Sequence, residues 1–206
     1  AILSAQRFHE KTSVLEIGPG PVGITPIVPK GAMYIAVEPS IAYKKSLKTI
    51  AENRNLHFHA YDSINMIPKD TRVDMMFTNA VFEHLIDPLN TFTTAASLLN
   101  PGAAVVFGVP DRNVEIPDHA FIPSGLFKSI DYCENHLHSF SPASVKALFE
   151  QGGVELVEMC HTLKQGLVTA YYQISHVLED GVINRRMMSG RWILKYLRSL
   201  FTFKIA

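Results

Sequence analysis

Short apolar runs alternate with helical patterns from about residue 13 to residue 160. Val14–Ile17, Met33–Val37, Leu56–Ala60, Val73–Thr78 and Ala103–Val109 are each bounded by Gly, Pro, Asp or Asn. Runs that short, apolar on both faces, predict strands of a sheet covered on both sides. Between them, Ile41–Ala51 carries Ile41, Leu47, Ile50 and Ala51 on one helical face, with Lys44, Lys45 and Lys48 elsewhere. Leu89–Leu99 follows Asp87-Pro88 and stops at Asn100-Pro101-Gly102, a start and a stop signal for a second helix. Val145, Leu148 and Phe149 mark a third, with Ser141 as N-cap, Pro142 in its first position and Gly152-Gly153 as terminator. Val154–Met159 then predicts a sixth strand. Strand alternating with helix predicts an α/β fold: a doubly wound, mostly parallel sheet with right-handed crossovers and helices on both faces.

The first strand runs into Glu16-Ile17-Gly18-Pro19-Gly20-Pro21-Val22-Gly23. Glycines there allow a tight turn and close approach of a ligand to the backbone. A glycine-rich turn alone is a weak signal. Glu38 sharpens it, because it ends the second strand about 20 residues on, where a carboxylate accepts both hydroxyls of a ribose.

These segments, with three later ones, resemble the class I S-adenosylmethionine-dependent methyltransferases. Val14-Leu15-Glu16-Ile17-Gly18-Pro19-Gly20 is similar to their first motif and Ala36-Val37-Glu38-Pro39-Ser40 to their second. His59-Ala60-Tyr61-Asp62-Ser63 resembles the adenine-holding turn after strand three. Val73–His84 resembles the fourth motif, and Leu98-Leu99-Asn100-Pro101-Gly102-Ala103 the approach to strand five. His136-Leu137-His138-Ser139-Phe140-Ser141 resembles the segment before the last crossover helix in the small-molecule and sugar-modifying branches. The resemblance covers roughly residues 13 to 160 and implies a Rossmann-like methyltransferase sheet with S-adenosyl-L-methionine as cofactor. It places Gly18, Pro19 and Gly20 against the methionine part, with Glu16 near its ammonium. It places Glu38 and Pro39 at the ribose, Asp62 and Ser63 at the adenine, and Asn79, Ala80 and Val81 beside the sulfonium. Two departures stand out. Val22 occupies the usual third-glycine position, with Gly23 one place later, and Pro26 and Pro29 make the following helix short or irregular.

The implied activity is methyl transfer to an oxygen or nitrogen of a small-molecule or sugar-derived acceptor. His84, His119 and His138 are candidate general bases, because their segments crowd the cofactor's methyl end in this fold. Glu83, His84 and a histidine from 136–138 also echo the metal site of small-RNA 2′-O-methyltransferases. That pattern wants a Glu where this chain has Ala80, so no metal is expected.

Composition narrows the partners. Nearly half the residues are apolar and Lys plus Arg balance Asp plus Glu at 19 each, so no global charge calls for nucleic acid. Cys133 and Cys160 are too few for a disulfide framework, and no apolar run reaches a membrane span, so the expected setting is cytoplasmic. Residues 1–180 read as the methyltransferase domain, with 110–135 as an acceptor lid broken by Pro110, Pro117, Pro123 and Gly125. Residues 181–206 read as a basic amphipathic helix, with Trp192, Tyr196, Leu200 and Phe203 on one face, suited to homodimer or peripheral membrane contact through 185–204. Two rivals stay open. One is a nicotinamide-dependent dehydrogenase, which shares the glycine turn and its acid. The other is a non-catalytic methyltransferase-like subunit.

Overall fold

The computed structural model describes residues 9–110, 136–164 and 168–176. Strands β1 (Ser13–Ile17), β2 (Met33–Val37), β3 (His57–Tyr61), β4 (Val73–Asn79), β5 (Leu99–Pro110), β6 (Glu155–Lys164) and β7 (Val168–His176) make one sheet. Their spatial order is β3-β2-β1-β4-β5-β7-β6. The first five strands in that order are parallel, and β7 runs antiparallel to both β5 and β6. Helices α1 (Ile41–Asn53), α2 (Pro88–Ala96) and α3 (Pro142–Gln151) connect them.

Side-chain alternation along the strands divides the core in two. Leu15, Ile17, Ile35, Met76 and Phe107 pack toward Phe92 and Ala95 of α2 and toward Val145, Leu148 and Phe149 of α3. Their neighbours Val14, Tyr34, Ala36, Met75 and Phe77 pack on the other face against Leu47 and Ala51 of α1 and against Ile24 and Val28. Each such buried Val, Leu, Ile, Met or Phe side chain contributes roughly 1.5–3 kcal/mol. Helix starts are capped as the polar residues before them predict. The Ser40 hydroxyl accepts from the Tyr43 N–H, Asp87 from the Asn90 N–H, and Ser141 forms a capping box with Ser144.

Four expectations need correction. Between β1 and β2 the expected short or irregular helix is replaced by successive turns over residues 20–27, and Ile24 and Val28 still reach the core. The second helix stops at Ala96 rather than Leu99, because Leu99 already pairs with Val73 and a register shift absorbs Pro101-Gly102. Strand β3 is not apolar on both faces. It is the sheet's edge, where His57 and His59 are exposed. Finally, β7 was not anticipated. Val168, Thr169, Tyr171, Tyr172 and Ile174 carry its strand-forming character, and Gln165-Gly166 before them is a turn signal in the sequence. The tail 181–206 and most of the 110–135 insert lie outside the described residues.

Candidate functional site

The chain steps from β1 outward to β2 and β3, then returns to place β4 on the other side of β1. A parallel sheet opens a crevice at such a switch point, outside the carboxyl ends of its strands. Gly18 leaves β1 with φ +67°, and its N–H donates to the Val37 carbonyl at 2.9 Å. A Cβ on Gly18 would lie 2.3 Å from Val81 Cγ2, so a side chain there would force the ends of β1 and β4 apart. Gly20, at φ +62°, donates its N–H to Glu38 Oε2 at 3.0 Å, while a Cβ built on it meets nothing within 4 Å. The turn is therefore tied to β2 through Glu38 and open on its other side. Glu38 is buried, and its second oxygen accepts the Ser40 N–H at 2.8 Å. Each oxygen retains a lone pair.

Glu16 has a different surrounding. It shares a sheet face with Val14, and its Oε2 accepts the Ile24 N–H at 2.9 Å and the Tyr34 hydroxyl. Burial pushes its carboxyl up to about 7, against the opposing pull of those two donors. Gly23 explains the departure at Val22. It has φ +54°, and a Cβ there would meet Glu16 Oε2 at 2.4 Å and Pro19 Cβ at 2.7 Å. The close approach expected of the third glycine is made one residue later.

Asp62 follows β3 on the surface, ion-paired with Lys44 of α1, and Ser63 leads exposed into a 3-10 turn at Ile64–Met66. Pro19 is buried under the glycine turn and Pro39 is exposed beyond Glu38. At the end of β4, Asn79 and Val81 are half-buried around the exposed Ala80, whose φ of +53° is a left-handed conformation costly for a residue with a Cβ.

A second 3-10 turn, Phe82–His84, follows directly. Phe82 anchors it, with ring centroids 4.8 Å from Phe107 and 6.1 Å from Phe92. The Glu83 carbonyl accepts the N–H groups of Leu137 (2.8 Å) and His138 (3.1 Å), which fastens the 136–140 segment across the end of β4. That brings the His84 and His136 rings to 4.8 Å between centroids. Glu83 is buried beside them. Desolvation pushes its carboxyl above the ordinary range, with its own backbone and the nearby His84 offsetting part of the rise. Of the three candidate bases, His84 lies in this turn, His138 is joined to it through its backbone N–H, and His119 lies outside the described residues.

A family model described as "Methyltransferase domain" matches residues 3–159. The chain belongs to the class I S-adenosylmethionine-dependent methyltransferases. This methyltransferase resembles solved structures at the level of fold. One is a chain of the complex between the Haloferax volcanii Trm112 methyltransferase activator and a methyltransferase (TM-score 0.62, 15% identity, 83% of this chain and 84% of that one). Another is a SAM-dependent methyltransferase from Aquifex aeolicus (0.59, 15%, 84% and 87%). A third, also SAM-dependent, comes from Methanosarcina mazei (0.62, 15%, 85% and 97%). A search of curated proteins finds none that matches the chain. The dehydrogenase rival falls with this assignment, and the sheet agrees. Dinucleotide-binding sheets run 3-2-1-4-5-6, whereas this methyltransferase sets antiparallel β7 between β5 and β6.

The family's cofactor, S-adenosylmethionine, carries a sulfonium, an ammonium and a ribose diol. The residues at the crevice fit it: the open side of Gly20 leaves room beside the backbone, and Glu38 and Asp62 offer carboxylate acceptors to its hydroxyls and amino group.

Proposed function

We propose that this protein is an active enzyme transferring a methyl group from S-adenosylmethionine to an oxygen or nitrogen of a small-molecule or sugar-derived acceptor. The observation that carries the reading is Glu38, held at the end of β2 by the Gly20 and Ser40 N–H groups with a lone pair left on each oxygen. The cofactor, when bound, supplies an electrophilic methyl carbon. Glu38 accepts the ribose hydroxyls, with Pro39 beyond it. Asp62, released from Lys44, accepts the adenine amino group beside Ser63. Gly18, Pro19 and Gly20 present backbone to the methionine part, and Glu16 braces that turn from beneath. Asn79, Ala80 and Val81 border the reacting end, and His84 or His138 is placed to take a proton from an acceptor. His119 and a lid over 110–135 belong to the same proposal, as does dimer or membrane contact through 185–204. Holding acceptor and methyl carbon in line is where most of the acceleration arises.

Calorimetric titration with S-adenosylhomocysteine tests the reading, comparing the intact protein with Glu38→Ala and Asp62→Ala. Micromolar binding that each substitution weakens roughly tenfold or more is expected, the scale of a lost hydrogen bond to a charged group. A folded intact protein that binds no S-adenosylhomocysteine is instead the non-catalytic subunit.

A further inference from the structure

Glu83 is 1% exposed, and among the described residues neither of its carboxylate oxygens has a hydrogen-bond partner. Buried carboxylates are ordinarily paired, hydrogen-bonded or bound to a metal, because desolvating the charge is costly. The adjacent His84 has its Nε2 3.9 Å from Glu83 Oε1, beyond hydrogen-bond reach. His136 completes the group. One ligand atom from each of Glu83, His84 and His136 lies within 4.8 Å of the other two. Donors around a single ion, each roughly 2.0–2.2 Å from it, stand about 3–3.5 Å apart, so closing onto an ion takes a movement of about an ångström.

The backbone already holds the three together. Phe82 fixes one side of the turn in the aromatic core, and the Glu83 carbonyl grips the chain at Leu137 and His138, next to His136. The buried carboxylate is thus the anchored member, with the half-buried His136 and the more exposed His84 on its solvent side.

We propose that Glu83, His84 and His136 bind one divalent transition-metal ion, of the zinc, manganese or cobalt class, at the end of β4. Two imidazoles and a carboxylate suit such borderline ions better than calcium or magnesium, which prefer all-oxygen sites. Ala80 supplies no fourth protein ligand. Three protein ligands with open positions describe a site that takes up a substrate oxygen, rather than a closed structural site. The ligand of those positions is a hydroxyl group of the methyl acceptor. On the ion its O–H bond breaks heterolytically, the proton passes to water, and the oxygen keeps the electron pair as nucleophile. This last step rests on the proposed function and narrows it to oxygen acceptors; the ion site itself does not rest on it.

The test uses the full chain, stripped with chelator, then titrated with Zn2+ by calorimetry and with Co2+ by visible absorption. One ion per chain is expected, with His84→Ala and His136→Ala each weakening it tenfold or more while the circular dichroism of the fold is unchanged. Both rings are partly exposed, so these variants keep the core that Glu83→Gln could disturb. No binding by the folded protein overturns the site. So does binding that neither variant weakens, which would point to a surface pair such as His57 and His59 on the edge of β3. S-adenosylhomocysteine titrated in parallel separates the two readings. Ion binding without S-adenosylhomocysteine binding supports the metal site and sinks the function, and the reverse sinks the metal site alone.

Discussion

Two glutamates end adjacent strands of this sheet and are put to different uses by the donors around them. Glu38 faces the crevice with both oxygens on loop N–H groups, whereas Glu16 points into the α1-side core toward Ile24 and Tyr34. The cost of burying Glu16 shows in its proton affinity, since the folded carboxyl is raised to about 7 from an ordinary value of 4.5. Between those pH values the folded chain holds more protons than the unfolded one, so stability is full below about pH 4.5 and falls as pH rises toward 7. The loss is on the order of 3 kcal/mol. Glu16→Gln keeps an acceptor oxygen for the Ile24 N–H and the Tyr34 hydroxyl but does not ionise. Urea midpoints measured at pH 4.5 and 7.5 should therefore fall less in the variant than in the parent; parallel slopes would show that Glu16 is not responsible. The glycine turn and Glu38 were legible in the sequence because spacing alone carries them. The isolation of the Glu83 carboxylate was not, because the burial of a residue in a 3-10 turn depends on Phe82 and on a segment more than fifty residues downstream.

At the scale of elements, the end of the sheet opposite the crevice is closed by one side chain. Asp74 on β4 accepts the Ser13 N–H (2.9 Å) and hydroxyl (2.7 Å) from β1 and the Asn100 amide (2.8 Å) from the start of β5. Desolvation pulls its carboxyl upward, but the Ser13 and Asn100 hydrogen bonds together outweigh it and hold the carboxyl below its ordinary range. A depressed folded value means stability present above pH 4 and lost as pH falls through that lowered value. Asp74→Asn is expected to cost about 1 kcal/mol near neutral pH, after solvent screening at this half-exposed position. Denaturation at pH 7 and at pH 3 checks it: the difference between parent and variant should shrink at the lower pH. Element identity was largely readable from periodicity, since β2 spans Met33–Val37 as its apolar run predicts. The errors arose where the neighbours decide. Leu99 left the helix because Val73 was waiting to pair with it, and β3 is polar on one face where, among the described residues, no strand lies beyond it. Strand β7 is defined by the partners β5 and β6, and its own apolar pattern is diluted by Gln173 and Ser175.

Taken whole, the molecule separates the clasp at one end of its sheet from the candidate site at the other. The Asp74 clasp and the pairing of β1 with β2 and β4 leave little freedom at the amino ends of the strands. The carboxyl ends carry the glycine turn, the exposed Asp62, the left-handed Ala80 and the 3-10 turn at Glu83. A ligand bound among these segments favours the folded state that holds them together. At a concentration of one hundred times its Kd, a ligand of the folded state adds about 2.7 kcal/mol of stability. In a domain of about 200 residues that raises Tm by roughly 5–10 °C. Such a rise alone does not say where the ligand sits, but hydrogen exchange at short labelling times does, because those amides exchange through local openings. S-adenosylhomocysteine should slow the amides of 18–24, 38–41, 61–64 and 79–84 and leave those of 69–74 and 97–101 at their original rates. Protection centred on the second group would move the cofactor to the opposite end of the sheet and overturn the site. Protection confined to the first would show four separate loops answering one ligand, as they must if the switch point between β1 and β4 organises the crevice.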